Sequence, residues 1–279
     1  MMNEEIKRIV MGLRPIDDDF MKAIFTDNKP LVEYVLRVIL GKDDLIVETS
    51  ETQHDLEFFG SRSLTLDVFA KDSTGRSFNI EVQRADTGAI AQRARYHSAA
   101  LDISTMPKGS AFNELPDSYV IFITENDVLK GDQATYIIER TIAGRNELFN
   151  DGAHIIYVNG AYKDVESPVG KLIHDFMCRS ADEMLCPPFA EVTNKYKNTS
   201  EGVDYMCKAV EDYAKKYALQ QRQEGRMEGR QEGRQEGRQE GILETIVSLV
   251  HDGLLSVTEA AKRTSLSVEE IQKLASQEG

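Results

Sequence analysis

Asp67, Glu81 and Gln83 stand in two strand-like runs that face each other across a turn, in LTLDVFAKDSTGRSFNIEVQR (64–84). Apolar Leu64, Leu66 and Val68 alternate with Thr65 and Asp67, while Phe78, Ile80 and Val82 alternate with Asn79, Glu81 and Gln83. Side chains alternate between the two faces of a strand, so a register matching apolar to apolar sets odd-numbered residues opposite odd-numbered ones. Asp67, Glu81 and Gln83 then share one face, and DSTG (72–75) supplies the turn. Two readings stay open at this level. A half-exposed hairpin naturally turns its carboxylates toward water. Converging carboxylates can instead hold Mg²⁺, a hard ion that takes oxygen ligands and keeps several waters. Such an ion polarises a phosphodiester oxygen and lowers the pKa of a water that attacks phosphorus.

The flanking segments define what must position these residues. Residues 17–40, DDDFMKAIFTDNKPLVEYVLRVIL, open with acids suited to a helix N-terminus and continue with helical apolar spacing, and Pro30 begins a second helix. LIVETSETQHDLEFF reads as extended, GAIAQRARYHSAALDIST (88–105) as a helix and DSYVIFITE (117–125) as a buried strand. YIIERT (136–141) and HIIYVN (154–159) read as two more strands, GRNELFNDG (144–152) as a loop, and the spacing from Pro168 to about Leu219 is helical again. This order predicts a mixed α/β sheet flanked by helices.

Composition narrows the partners. The chain has 279 residues, and 33 Lys and Arg against 47 Asp and Glu give a net charge of −14. Long-range attraction to nucleic-acid phosphates is absent overall, so any DNA contact must be local. Residues 61–130 carry 8 basic against 9 acidic residues, the least acidic part of the region expected to fold around the hairpin. No apolar run approaches the roughly 20 residues that cross a bilayer. The N-terminus lacks an apolar core with a cleavage site, and three cysteines have no metal-like spacing. A reduced, cytoplasmic protein is the expectation.

Residues 220–241, QQRQEGRMEGRQEGRQEGRQEG, form a tetrapeptide repeat with Glu, Arg and Gly each recurring every four residues. A helix would set like charges at i,i+4 and place a glycine in every turn, each costing about 1 kcal/mol relative to alanine. The segment is therefore either a solvated linker or a helix that pairs with a second copy through its glycines, with Glu and Arg bridging the chains. The tail, 242–279, shows Ser256 before Glu259 and Ser267 before Glu270, two capping-box patterns that predict three short helices. The last two resemble a helix-turn-helix pair, read either as a DNA contact or as a small packing unit.

The Asp-(x)n-Glu-x-Gln arrangement resembles the PD-(D/E)XK nuclease superfamily and, more closely, its branch of transposases and recombination-promoting nucleases. PIDDDFMKAIF (15–25) is similar to that branch's entry motif, an acid followed by Phe-x-Lys-x-x-Phe. AQRARYHSAALDISTMPKGSAFNELP resembles its helix after the active strand, SYVIFITEND its next core strand, and ERTIAGRNELFNDGAHIIYVNGAY its later strands; the EGR repeat is a common tail. The resemblance spans about residues 13–220. It implies a restriction-endonuclease-like domain over about residues 10–200, then a helical extension (201–219), the repeat and the tail. It also implies Mg²⁺-dependent cleavage of DNA, with Asp67 and Glu81 as metal carboxylates and Gln83 where many relatives carry lysine. The alternative is a degenerate nuclease fold acting as an interaction or regulatory protein. Around that site Asp19 either approaches from the first helix or caps it. Arg93 and Tyr96 could face metal or phosphate, or make structural contacts. Arg84, Arg93 and Arg95 form the best local basic patch, and His97 reads as a packed or polar helix residue rather than a catalytic base.

Overall fold

The computed structural model describes residues 2–58, 60, 62–264 and 266–276. The chain divides into two compact units, Met1–Tyr213 and Ala214–Gly279.

In the first unit, helix α1 (Met2–Gly12) precedes α2 (Asp18–Phe25) and α3 (Lys29–Leu40). Between α2 and α3 the chain turns where the sequence demands it. Asn28 accepts the Leu31 N–H at 3.3 Å, Pro30 occupies the first turn, and Gly41 closes α3 in the left-handed conformation (φ 62°). Strands β1 (Val47–Leu56), β2 (Leu64–Asp72) and β3 (Ser77–Gln83) follow. The expected extended run reached Phe59, which lies outside the described residues. The β2–β3 turn is tied by Asp72, which accepts from Thr74 N, Thr74 Oγ1 and Arg76 N, with Gly75 at φ 87°.

Helix α4 (Ala91–Thr105) connects β3 to β4 (Ser118–Thr124), every residue of which is buried. Then come β5 (Thr135–Ile138), β6 (Thr141–Ile142), β7 (Glu147–Leu148) and β8 (Ala153–Asn159). The six-stranded sheet has the order β1-β2-β3-β4-β8-β5, with β3, β4 and β8 parallel and the other pairs antiparallel. The expected strand 136–141 is interrupted after Ile138. The expected loop 144–152 contains β7, which pairs with β6 as a separate two-stranded ribbon.

Helices α5 (Pro168–Met177) and α6 (Pro187–Asn198) join α2 and α3 over one face of the sheet. Phe20, Phe25, Phe176 and Phe189 pack there against Val68, Ile80, Ile121 and Val158. The opposite face carries Phe69, Val120, Phe122 and Tyr157 beneath Ala94 and Leu101 of α4. Helix α7 runs from Ser200 to His251, and its first turns bury Met206 and Cys207 in the core of the first unit. The repeat is therefore helical in the structure; side chains at Glu224 and Glu228 lie outside the described residues.

In the second unit, α8 (Val257–Arg263) and α9 (Val268–Ala275) start at Ser256 and Ser267, whose hydroxyls accept the Glu259 and Glu270 N–H groups. The reciprocal glutamate contact is formed at Ser267 by Glu270. Val247, Ala260 and Ile271 are buried. Among the described residues no helix is long and apolar enough to cross a membrane.

Candidate metal and catalytic site

The hairpin register is the one apolar matching requires, with Val68 opposite Ile80 and Phe69 opposite Asn79. It stops there. Beyond Val68–Ile80, β2 continues against β1 to Leu64 while β3 continues against β4 to Gln83, so the two strands part at Asp67 and Glu81. Main-chain N–H groups that lose a ladder partner need another acceptor. The acids supply it. Glu81 Oε1 accepts the Asp67 N–H at 3.2 Å, and Asp67 Oδ2 accepts the Val82 N–H at 3.0 Å. Asp67 Oδ1 accepts no hydrogen bond among the described residues.

The wet-hairpin reading fails because α4 covers this face. Glu81 is 0% exposed, and a buried carboxylate needs partners to offset its desolvation. Arg93 Nη2 lies 3.1 Å from Glu81 Oε2, and His97 Nδ1 lies 3.5 Å from Oε1. Arg93 Nε also donates to His97 Nε2 at 3.2 Å. That nitrogen must accept, so the ring carries its proton on Nδ1, which faces the Asn79 amide at 2.9 Å. Turning that amide presents its oxygen to Nδ1–H and satisfies Asn79 Oδ1, which is otherwise buried without a partner. His97 is a packed helix residue, as its context suggested, but it packs on Glu81 and edge-on to Phe122.

Burial and the adjacent Glu81 charge push the Asp67 carboxyl up to about 7. Two carboxylates held this close, with an unpaired oxygen on one, fit a hard divalent cation. Arg93 is the basic group that stands against Glu81 without one.

Other expected residues fall in different places. Gln83 lies two positions beyond Glu81 on β3, and its side chain sits against Gly88, where a Cβ would be 2.0 Å from Oε1. Arg84 is tied to Asp17 and Glu125, both at 3.1 Å, in a network that Arg14 completes; its guanidinium is therefore committed. Arg95 is exposed and forms no ion pair among the described residues. Tyr96 does not join the carboxylates; its hydroxyl donates to the Arg62 carbonyl at 2.6 Å and anchors the β1–β2 connection. Asp19 is partly buried, with its carboxyl raised by burial and by Asp18. The α2 charges that reach Asp67 are those of Asp18 and Lys22, paired with each other at 2.6 Å. Lys22 was missed, although it is the lysine of the Phe-x-Lys-x-x-Phe run and stands four residues after Asp18.

A family model described as PD-(D/E)XK nuclease family transposase matches residues 15–161, more than half of the chain. That span contains Lys22, Asp67, Glu81, Gln83 and Arg93. Searches of curated proteins and of solved structures return no match.

Proposed function

The chain belongs to the PD-(D/E)XK nuclease family transposases, and from that premise we propose that it hydrolyses DNA phosphodiester bonds with Mg²⁺ at Asp67 and Glu81. The observation that carries this reading is the parting of β2 and β3 at two carboxylates, one fully buried and the other pushed up to about 7. A cation there relieves the repulsion that raises Asp67. When bound, it supplies a Lewis acid for the phosphate and a water of lowered pKa.

The residues of this chain then have separate tasks. Asp67 and Glu81 provide oxygen ligands, Asp67 through its uncommitted Oδ1. His97 and Asn79 fix the rotamer of Glu81 from behind. Arg93 balances the Glu81 charge before a cation arrives and is free to turn toward a phosphate afterwards. Gln83 can donate and accept hydrogen bonds but carries no charge. Lys22 on α2, paired with Asp18, is the lysine whose charge is felt at Asp67, and it would supply the ammonium that a lysine at position 83 brings in relatives. Arg95, exposed on α4 two residues after Arg93 and so on a different side of the helix, offers a separate local contact for the DNA backbone.

The rival reading is a relic that binds partners and cleaves nothing. The Arg93–Glu81 pair favours it, because the buried carboxylate is already neutralised in the structure. The repeat helix provides a route to self-association. In a helix the glycine stripe is flanked on one side by arginine and on the other by glutamate, so two copies meeting glycine to glycine in parallel bring opposite charges together.

Nicking of supercoiled plasmid by the full chain, with Mg²⁺ or with EDTA, tests the proposal. Mg²⁺-dependent nicking that disappears in Asp67→Asn is expected. A folded protein without nicking in Mg²⁺ or Mn²⁺ leaves the relic reading in its place.

A further inference from the structure

Away from the carboxylate pair, the last turn of α5 gathers a second set of donor atoms. His174, Asp175 and Cys178 bring an imidazole, a carboxylate and a thiol within 4.8 Å of one another. His174 Nδ1 lies 3.0 Å from Asp175 Oδ1 and 3.4 Å from Cys178 Sγ. In a tetrahedral zinc site, with metal–donor bonds of about 2.0 Å to nitrogen or oxygen and about 2.3 Å to sulfur, the donor edges are roughly 3.3 Å for N···O and 3.5 Å for N···S. The N···S separation lies near its edge, while the N···O separation is shorter, at hydrogen-bond length. The sulfur is nearly equidistant from the two ring nitrogens, at 3.4 and 3.7 Å. Because the ring is partly exposed, a turn about its Cβ–Cγ bond aims a lone pair at the shared centre.

The third donor is held by the main chain. Asp175 is completely buried, and its oxygens accept the Leu185 N–H at 2.8 Å and the Cys186 N–H at 2.7 Å. Each carboxylate oxygen has two acceptor positions; Oδ1 gives one to the Leu185 N–H and turns the other to His174 Nδ1, the position a metal would take. A cavity of about 320 Å³, lined by Arg14, Tyr162, Lys163, His174, Cys178 and Arg179, reaches two of the three donor residues and has room for a water ligand.

We propose that His174, Asp175 and Cys178 form a second metal site, for a borderline-soft dication of the zinc class, with water from the cavity in the fourth position. Mixed sulfur, nitrogen and oxygen donors select zinc over magnesium, which separates this site chemically from the all-oxygen pair at Asp67 and Glu81. Binding replaces the Cys178 S–H bond with a metal–sulfur bond, the proton passes to solvent, and no electrons are transferred. Thiolate and carboxylate together balance the charge of the ion, which Lys163 and Arg179 would otherwise repel. Without metal, burial and the Asp175 charge push the Cys178 thiol up to about 11, so it is a poor nucleophile at neutral pH. All three donors come from the end of α5, and Asp175, through the Leu185 and Cys186 N–H groups, ties that end to the segment that leads into α6.

Titrating the full, metal-stripped chain with Co²⁺ tests the site, because cobalt bound to a thiolate gives a charge-transfer band in the near ultraviolet. Wild type should show that band and saturate at a single cobalt per chain. Cys178→Ser should abolish the band, and His174→Ala, at a partly exposed position that tolerates truncation, should weaken binding at least about tenfold. An Asp67→Ala/Glu81→Ala double variant should keep the band, so failure here and failure of the nuclease reading are distinguishable. A folded wild type without the band overturns the proposal. So does an undiminished band in Cys178→Ser, which would assign the thiolate to Cys186 or Cys207.

Discussion

The Arg93 guanidinium lies 3.1 Å from Glu81 Oε2, at the one end of that carboxylate which neither Asp67 N–H nor His97 approaches. Arg93 is itself 40% exposed, so it can leave, whereas Glu81 cannot. On the proposed reading, Arg93 is the counter-ion that exchanges with the cation. Arg93→Ala strands a buried negative charge, and the loss of stability should be about 1–3 kcal/mol after allowing for water reaching the gap. Thermal unfolding in EDTA should show that loss, and saturating Mg²⁺ should recover part of it. A deficit identical with and without Mg²⁺ would sink the exchange.

Asp67 gives the stability of the chain a definite pH dependence. Its carboxyl sits at about 7 in the folded state, raised by burial and by Glu81. Between the ordinary carboxylate range and that value the folded chain holds a proton the unfolded chain has lost, so stability falls as pH rises through the window. Without divalent metal, the melting temperature of wild type should decline from about pH 5 to about pH 8 more steeply than that of Asp67→Asn. Parallel profiles for the two proteins would show that Asp67 ionises normally. Added Mg²⁺ should flatten the wild-type decline, since a cation favours the anion.

Asp67→Ala carries a cost that the strand pattern alone did not suggest, because Asp67 Oδ2 replaces a ladder partner for Val82 N–H. Losing that acceptor should cost about 1 kcal/mol and leave a cooperatively folded protein with no nicking activity. Wild-type nicking by Asp67→Ala in the same preparation would remove the carboxylate pair from the chemistry.

On the proposed reading, Lys22 and Gln83 divide the role that a single lysine has in many relatives. Lys22→Met should reduce nicking by about a hundredfold, the scale of losing one electrostatic contact to a developing charge. Gln83→Leu should cost less, and Gln83→Lys should retain Mg²⁺-dependent activity. If Gln83→Leu is inactive while Lys22→Met cleaves normally, the assignment is reversed.

A chain ending at Leu219 should unfold cooperatively and keep the activity of the full protein, because it retains Met206, Cys207 and Val210, the α7 side chains that pack on the first unit. The full chain should show a larger mass by light scattering than the truncated one if the repeat pairs copies. Equal monomer masses would exclude that pairing.

Much of this was legible without coordinates. Alternation of Val68, Ile80 and their neighbours sets the hairpin register, since a one-residue slip would turn every apolar side chain outward. Asn28 and Pro30, Ser256 and Ser267 are cap residues whose local chemistry works independently of distant packing. The family motifs also lie within single elements. The repeat was less legible: glycine in every turn argues against helix locally, yet Ser200–His251 is one continuous helix.

By itself, then, the sequence determined most of the core elements and the hairpin register that ends beside Asp67 and Glu81, because period-two alternation and capping are properties of neighbouring residues. Tertiary structure alone decided that Glu81 is buried, because that depends on α4 folding back over β3 and β4. The same packing brings Arg93 and His97 to Glu81, takes Arg84 into a network with Asp17 and Glu125, and selects Asp18 and Lys22 over Asp19. Which charge reaches a carboxylate depends on distances between segments far apart in the chain, and no spacing along a single segment encodes them.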